Sequence, residues 1–170
     1  MEAAIDLYAA HGDAPVRKVA RRAGVNHGLV HHYLGGKAGL RAAVLDRVAR
    51  AVYARLEVAE DASLVEVGRA ALVRTREDPR FVKILARTLL DTEGVADPEQ
   101  SDFPVVARLR AASSFDERTT DAAIAEALAL GLGAIVFGPW IRRALGMSEA
   151  AYERITETAL DRIYAGEETS

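Results

Sequence analysis

The sequence has no cysteine. Disulfides, thiol catalysis and thiolate metal sites are excluded, and a cytoplasmic location is permitted. Long hydrophobic runs are also missing. The longest uncharged stretch, Ala127 to Ile141, falls short of the roughly 18 residues that argue for a membrane span and contains Gly131, Gly133, Gly138 and Pro139. It reads as a buried helix, and no membrane partner is expected. The opening, MEAAIDLYAAHG, carries acids and lacks a long apolar stretch, so no signal peptide is visible. There are no internal repeats and no β-alternation strong enough for a strand. An enzyme needs a nucleophile, an acid–base pair or a metal cluster, and no such group stands here with supporting spacing. Neither catalytic residues nor a cofactor are expected.

What is present is half apolar, enough for a sizeable core in 170 residues, as one medium domain or a small one fused to a larger. The net charge of −3 conceals an asymmetry. Residues 1–50 hold eight Lys/Arg against four Asp/Glu, a balance of +4, together with all four histidines. Residues 51–170 hold 14 against 21, a balance of −7. A basic head on an acidic body suits a protein of which only one end meets a polyanion. Solvated surfaces can show such an imbalance by chance, so other signals must decide.

The deciding stretch is Val16 to Leu40, VRKVARRAGVNHGLVHHYLGGKAGL. Val19, Ala20 and Ala23 recur at helical spacing, with Asp13 as a cap and Pro15 in the first turn. Gly24 permits the turn after Ala23. Asn26 caps a second segment, which places Val30 and Leu34 on one face with Tyr33 at the edge, and His27, Gly28, His31 and His32 on the other. Two short helices joined by a glycine turn fit a helix-turn-helix whose second helix enters the DNA major groove. His27 can donate to or accept from a base edge, Gly28 allows close approach, and Leu29 can touch a thymine methyl.

These residues resemble the DNA-binding segment of the TetR family of transcriptional regulators, through the turn Ala23, Gly24, Val25 and the later Lys37. The similarity runs upstream through Ala3 to Gly12 and downstream to about Leu45, roughly the first quarter of the chain. It implies phosphate contacts from Lys37 and from His31, which occupies the place of the family's usual tyrosine. Tyr33 stands where a histidine is usual, and Leu34 where an aromatic is usual. Arg17, Lys18, Arg21 and Arg22 lie along the preceding helix, where only the sides facing the DNA backbone contribute, and Arg17 and Lys18 are the two expected, with Tyr33, to complete the phosphate set. Members of the family commonly begin with a basic arm, whereas this chain starts almost inside its first helix. Either the start codon lies upstream, or the arm and its phosphate contacts are lacking.

The plain alternatives stand beside these roles. His27 and His31 at i and i+4 could ligate a metal, but no carboxylate or cysteine lies nearby and no HExxH pattern appears, so no metal is expected. Lys37 could be an ordinary surface lysine, and Tyr33 could pack in the head's core.

Further along, Glu2 to His11 forms a first helix, and Leu40, Val44, Val48, Val52 and Leu56 stripe a long one that starts near Lys37 and runs to about Glu60. Ser63 with Glu66 is a capping box opening a helix to about Arg76, and Asp78 with Pro79 launches another from Arg80 to about Asp91. Thr92 to Pro104 is a loop, followed by a short helix from Val105 to Ser113. Thr120 to Leu145 is the most apolar helix, with a kink expected at Pro139. Ser148 caps the last helix, Glu149 to Ala165, with Tyr152, Ile155, Ala159, Leu160 and Ile163 on one side.

The fold expected is all-α: an N-terminal three-helix helix-turn-helix DNA-binding domain at 1–45 and a C-terminal helical ligand-binding and dimerisation domain at 46–170. A cavity in the body would draw on Tyr53, Phe81, Leu85, Leu89, Phe103, Phe115 and Trp140, with Arg87 or Asp91 orienting a small, mainly apolar effector. The resemblance implies that the last two helices pair with their mates, so that Gly131, Ala134, Ile135, Gly138, Trp140, Tyr152, Ile155 and Leu160 form a homodimer interface. The lesser alternative is that the same surface is the monomer's own core, since periodicity does not separate one buried face from another. The function implied is a homodimeric, cytoplasmic, effector-controlled DNA-binding regulator acting on a palindromic double-stranded operator, with repression carried by the resemblance. The alternative is a dimeric small-molecule-binding module with weak or lost DNA recognition.

Overall fold

The computed structural model describes residues 1–11, 14–54, 56–90 and 104–166. Among them are nine helices and no strand: α1 Glu2–His11, α2 Val16–Ala23, α3 His27–Leu34, α4 Gly36–Tyr53, α5 Leu64–Glu77, α6 Arg80–Leu90, α7 Pro104–Ala111, α8 Glu117–Leu145 and α9 Glu149–Ala165. The all-α expectation holds. The chain forms two compact units, Met1–Val52 with Pro79–Phe103, and Tyr53–Asp78 with Pro104–Ser170. Both are discontinuous in sequence, whereas the sequence suggests a single boundary between 45 and 46. The difference lies in α6, which packs on α1 within the first unit.

In the first unit Tyr8 is fully buried, Ile5 and Leu7 of α1 are buried beside it in sequence, and α4 buries Val44 and Val48. From α6 come Phe81, Val82 and Ile84, all buried. Burying a side chain of this kind contributes about 1.5–3 kcal/mol. The Arg87 guanidinium donates to the Ala9 carbonyl at 3.0 Å and ties α6 to the end of α1.

Pro15 stands just ahead of α2, in an extended conformation, and its carbonyl accepts from the Lys18 and Val19 amides. It therefore precedes the helix instead of occupying the first turn expected from sequence, while Asp13 lies outside the described residues. α4 ends at Tyr53, short of the expected Glu60. The four-residue apolar step continues past the helix end, while Tyr53, which belongs to the second unit, is buried and bonded through its hydroxyl to Thr75 at 3.1 Å.

In the second unit α8 and α5 both lie on α9, and α7 packs on α5 and α8. The capping box forms as expected, Ser63 N donating to Glu66 Oε2 at 2.8 Å and Glu66 N to Ser63 Oγ at 3.4 Å. α8 starts at Glu117, before the expected Thr120, because the Asp116 carboxylate accepts from the Arg118 and Thr119 amides and caps the helix there. It then runs through Pro139 to Leu145. α9 buries Thr156, Leu160 and Tyr164, at four-residue steps, and leaves Ile155 exposed. That face is rotated from the expected one. Thr156 can lie inward because its hydroxyl donates to the Tyr152 carbonyl at 2.8 Å, which satisfies it without an outside partner. Ion pairs Arg76–Glu157 at 2.6 Å and Arg69–Asp161 join α5 to α9, and Arg110–Asp121 at 2.9 Å joins α7 to α8.

Candidate DNA-reading helix and ligand cavity

α2 is held from beneath by Val16, Val19 and Ala20 and presents Arg17, Lys18, Arg21 and Arg22 to solvent. Arg22 reaches Asp6 of α1 at 3.7 Å. At the turn Gly24 has φ +68°, where an L side chain is strained, and the Val25 amide bonds to the Ala20 carbonyl at 3.0 Å. The Asn26 side chain then accepts from the Gly28 amide at 2.8 Å and starts α3.

α3 is anchored by one buried residue, Val30. His27, Gly28, Leu29, His31, His32 and Tyr33 are all exposed. Tyr33 is 75% exposed and meets His32 edge-on at 4.8 Å between ring centres, so it is no part of the head's core. Gly35 and Gly36 have φ +69° and +79°, and a Cβ on Gly36 would come within 2.9 Å of His31 Nδ1. Lys37 follows, exposed, in the first turn of α4. The candidate base-reading residues His27, Gly28 and Leu29 thus share one free end of α3, with Arg17 and Lys18 on α2 and His31, Tyr33 and Lys37 after them. A further position, Gly39, escapes sequence reasoning: any Cβ there would collide with the Leu34 backbone carbonyl. Nothing in a single glycine among others signals that approach.

The second unit contains a cavity of about 50 Å³. Tyr53 and Thr75 stand on its wall with Leu72, Leu109, Leu160 and Tyr164, and Gly131 and Ile135 of α8 also line it. Of the expected effector residues only Tyr53 is there. Phe81, Leu85, Arg87 and Leu89 belong to α6 in the other unit, because helical periodicity shows that a face is buried and not in which core. Phe115 lies against Gly166, and Phe103 and Asp91 fall outside the described residues. Thr75 and Tyr164 carry no signal in the sequence, since an inward Thr or Tyr occupies the same helical positions as any core residue. Burial pushes the Tyr53 hydroxyl up, against a smaller lowering by its Thr75 bond, and burial pushes Tyr164 up to about 12.

The expected interface residues separate likewise. Gly131, Ile135 and Leu160 line the cavity, and Gly138 lies under the Tyr152 ring within the unit. Ala134 and Tyr152 are half-buried, while Trp140, 71% exposed, and Ile155 face solvent, as do Phe137 and Leu145.

A family profile described as bacterial regulatory proteins, tetR family, matches residues 1–44. The HTH-type transcriptional repressor Rv3405c of Mycobacterium tuberculosis is 34% identical over 171 residues, covering 96% of this chain and 84% of the relative. The chain belongs to the TetR family. The HTH-type transcriptional regulator Mb3439c of Mycobacterium bovis aligns with the same figures, and the BetI regulator of Serratia proteamaculans is 29% identical over 95% of this chain and 85% of its own length. Membership makes this a helix-turn-helix regulator that binds DNA, non-enzymatic, with a helical body of the TetR ligand-binding and dimerisation type. Among the described residues no three His, Asp or Glu gather as a metal site.

Proposed function

We propose that the chain is a homodimeric, effector-controlled transcriptional repressor acting in the cytoplasm on a palindromic operator, with residues 1–45 as its DNA-binding part and 46–170 as its effector-binding and dimerising part. The observation that carries the reading is α3, anchored by Val30 with Leu34 half-buried and open to solvent from His27 to Leu29 and from His31 to Tyr33. His27, Gly28 and Leu29 meet base edges, and Arg17, Lys18, His31, Tyr33 and Lys37 meet phosphates. Repression is supported by the Mycobacterium tuberculosis relative, itself named a transcriptional repressor. Dimerisation is supported by α8, the one helix among the described residues long and apolar enough to cross a membrane, of whose most apolar window only 22% is buried. Such a face, with Phe137, Trp140, Leu145 and Ile155 exposed, suits a second copy. Two heads bound to half-sites one turn apart, about 34–36 Å, multiply a weak single-head affinity. The mainly apolar cavity holds the effector, and linkage couples its occupancy to DNA affinity.

The test is selection of bound duplexes from a random pool at one fixed salt concentration, comparing wild type with a His27→Ala, Lys37→Ala double variant. An enriched palindrome that the variant loses is the expected result. No enrichment over random competitor by wild type would overturn the DNA-reading part.

A further inference from the structure

The cavity's chemistry restricts what can occupy it. None of its described lining residues is charged, so neither an anion nor a cation would find a counter-charge after losing its water. Three polar side chains line it, from Tyr53, Thr75 and Tyr164. Thr75 Oγ1 donates to the Ala71 carbonyl at 2.6 Å, which commits its only proton. The Tyr53–Thr75 bond must then run with Tyr53 as donor, and these two hydroxyl protons are both engaged. Tyr164 differs. It is 4% exposed, its ring lies on Gly68, and its hydroxyl has no hydrogen-bond partner among the described residues. With its pKa held up at about 12 it stays protonated at neutral pH, so it has a proton to donate.

We propose that the cavity takes a compact, neutral, mainly apolar molecule bearing one hydrogen-bond acceptor, such as a ketone or ester carbonyl, and that the Tyr164 hydroxyl donates to that oxygen. The small volume excludes a drug-sized occupant. The hydroxyl itself stays accessible, and a ligand carbonyl replaces water as its acceptor. The inference rests on reading this cavity as the effector site.

The experiment titrates the full chain with acetone, isobutene and acetate, small enough for a space of about 50 Å³, following the methyl resonances of Leu72, Ile135 and Leu160 by NMR. Acetone should shift them saturably, and Tyr164→Phe, which keeps the ring, should weaken its binding about five- to tenfold. Isobutene, of the same shape without the oxygen, should bind both proteins equally, and acetate should leave the resonances unmoved. Gly131→Leu, placing a side chain into the space, should abolish all the shifts, with thermal melting confirming that each variant is folded. Unchanged acetone affinity in Tyr164→Phe, tighter binding of acetate, or no shift from either neutral probe would overturn the proposal. A separate arm measures affinity for the selected operator with and without acetone. Cavity binding that leaves DNA affinity unchanged removes the effector role while the ligand chemistry stands.

Discussion

Single glycines do unequal work in this chain. Gly24 is legible because a helix-turn-helix needs a left-handed residue between its helices, and its φ of +68° fills that need. Gly39 is not legible, since its requirement comes from the Leu34 carbonyl five residues earlier and not from its own dihedral. Gly39→Ala should destabilise the DNA-reading unit by about 1–3 kcal/mol, read by chemical denaturation, because the helix backbone must move to admit the methyl. The histidines of α3 act on a different quantity. His27→Ala should relax base preference at one position per half-site. Arg17→Ala should instead weaken all duplexes alike and reduce the slope of log affinity against log salt by about 1 for each phosphate no longer neutralised.

Helix ends are more readable than helix faces. The Asn26, Ser63 and Ser148 caps can be found because a short polar side chain ahead of an apolar run has few other reasons to be there. Asp116 escapes because the apolar pattern of α8 begins only at Thr120, inside the helix that the carboxylate starts. Ser63→Ala should cost about 1 kcal/mol in chemical denaturation. Carboxylates at these and related sites also set a pH dependence. The Ser63 hydroxyl and amide hold Glu66 below its ordinary range, the Thr119 hydroxyl does the same for Asp116, and the Arg69 guanidinium for Asp161. A carboxyl depressed in the folded state stabilises it above the unfolded pKa, and that contribution is lost as pH falls through the folded one. The melting temperature should therefore be level from pH 8 to 6 as far as these groups are concerned, and should drop below about pH 4. On α8 and α9 the apolar periodicity is right in kind and ambiguous in direction. Leu160 goes inward to the cavity, while Trp140 and Ile155 remain outside. A Trp140→Glu, Ile155→Glu double variant should sediment as a folded monomer if that face joins two copies, and unchanged sedimentation would remove it as the interface.

At the scale of the molecule, charge and class come through in the sequence and connectivity does not. The +4 of residues 1–50 and the −7 of the remainder locate the polyanion-facing end, because composition is additive along a chain. Which helices share a core is a long-range property, and the return of α6 to α1 has no local signature. Linkage sets one expectation for the whole chain. Whatever factor an effector imposes on operator affinity, saturating operator must impose on effector affinity, and paired titrations should agree within error.

The return of α6 has a practical side. Its Phe81, Val82 and Ile84 are buried in the same unit as Tyr8, and Arg87 holds the Ala9 carbonyl, yet 26 residues of the other unit, Tyr53–Asp78, lie in sequence between the two stretches of this one. The DNA-reading end is therefore not a cassette. A graft of residues 1–45 onto a foreign body would leave bare the side of α1 that α6 covers, and chimaeras made at that point should aggregate or bind operator poorly. Exchange of that unit between relatives would need three joints, at 52/53, 78/79 and 103/104.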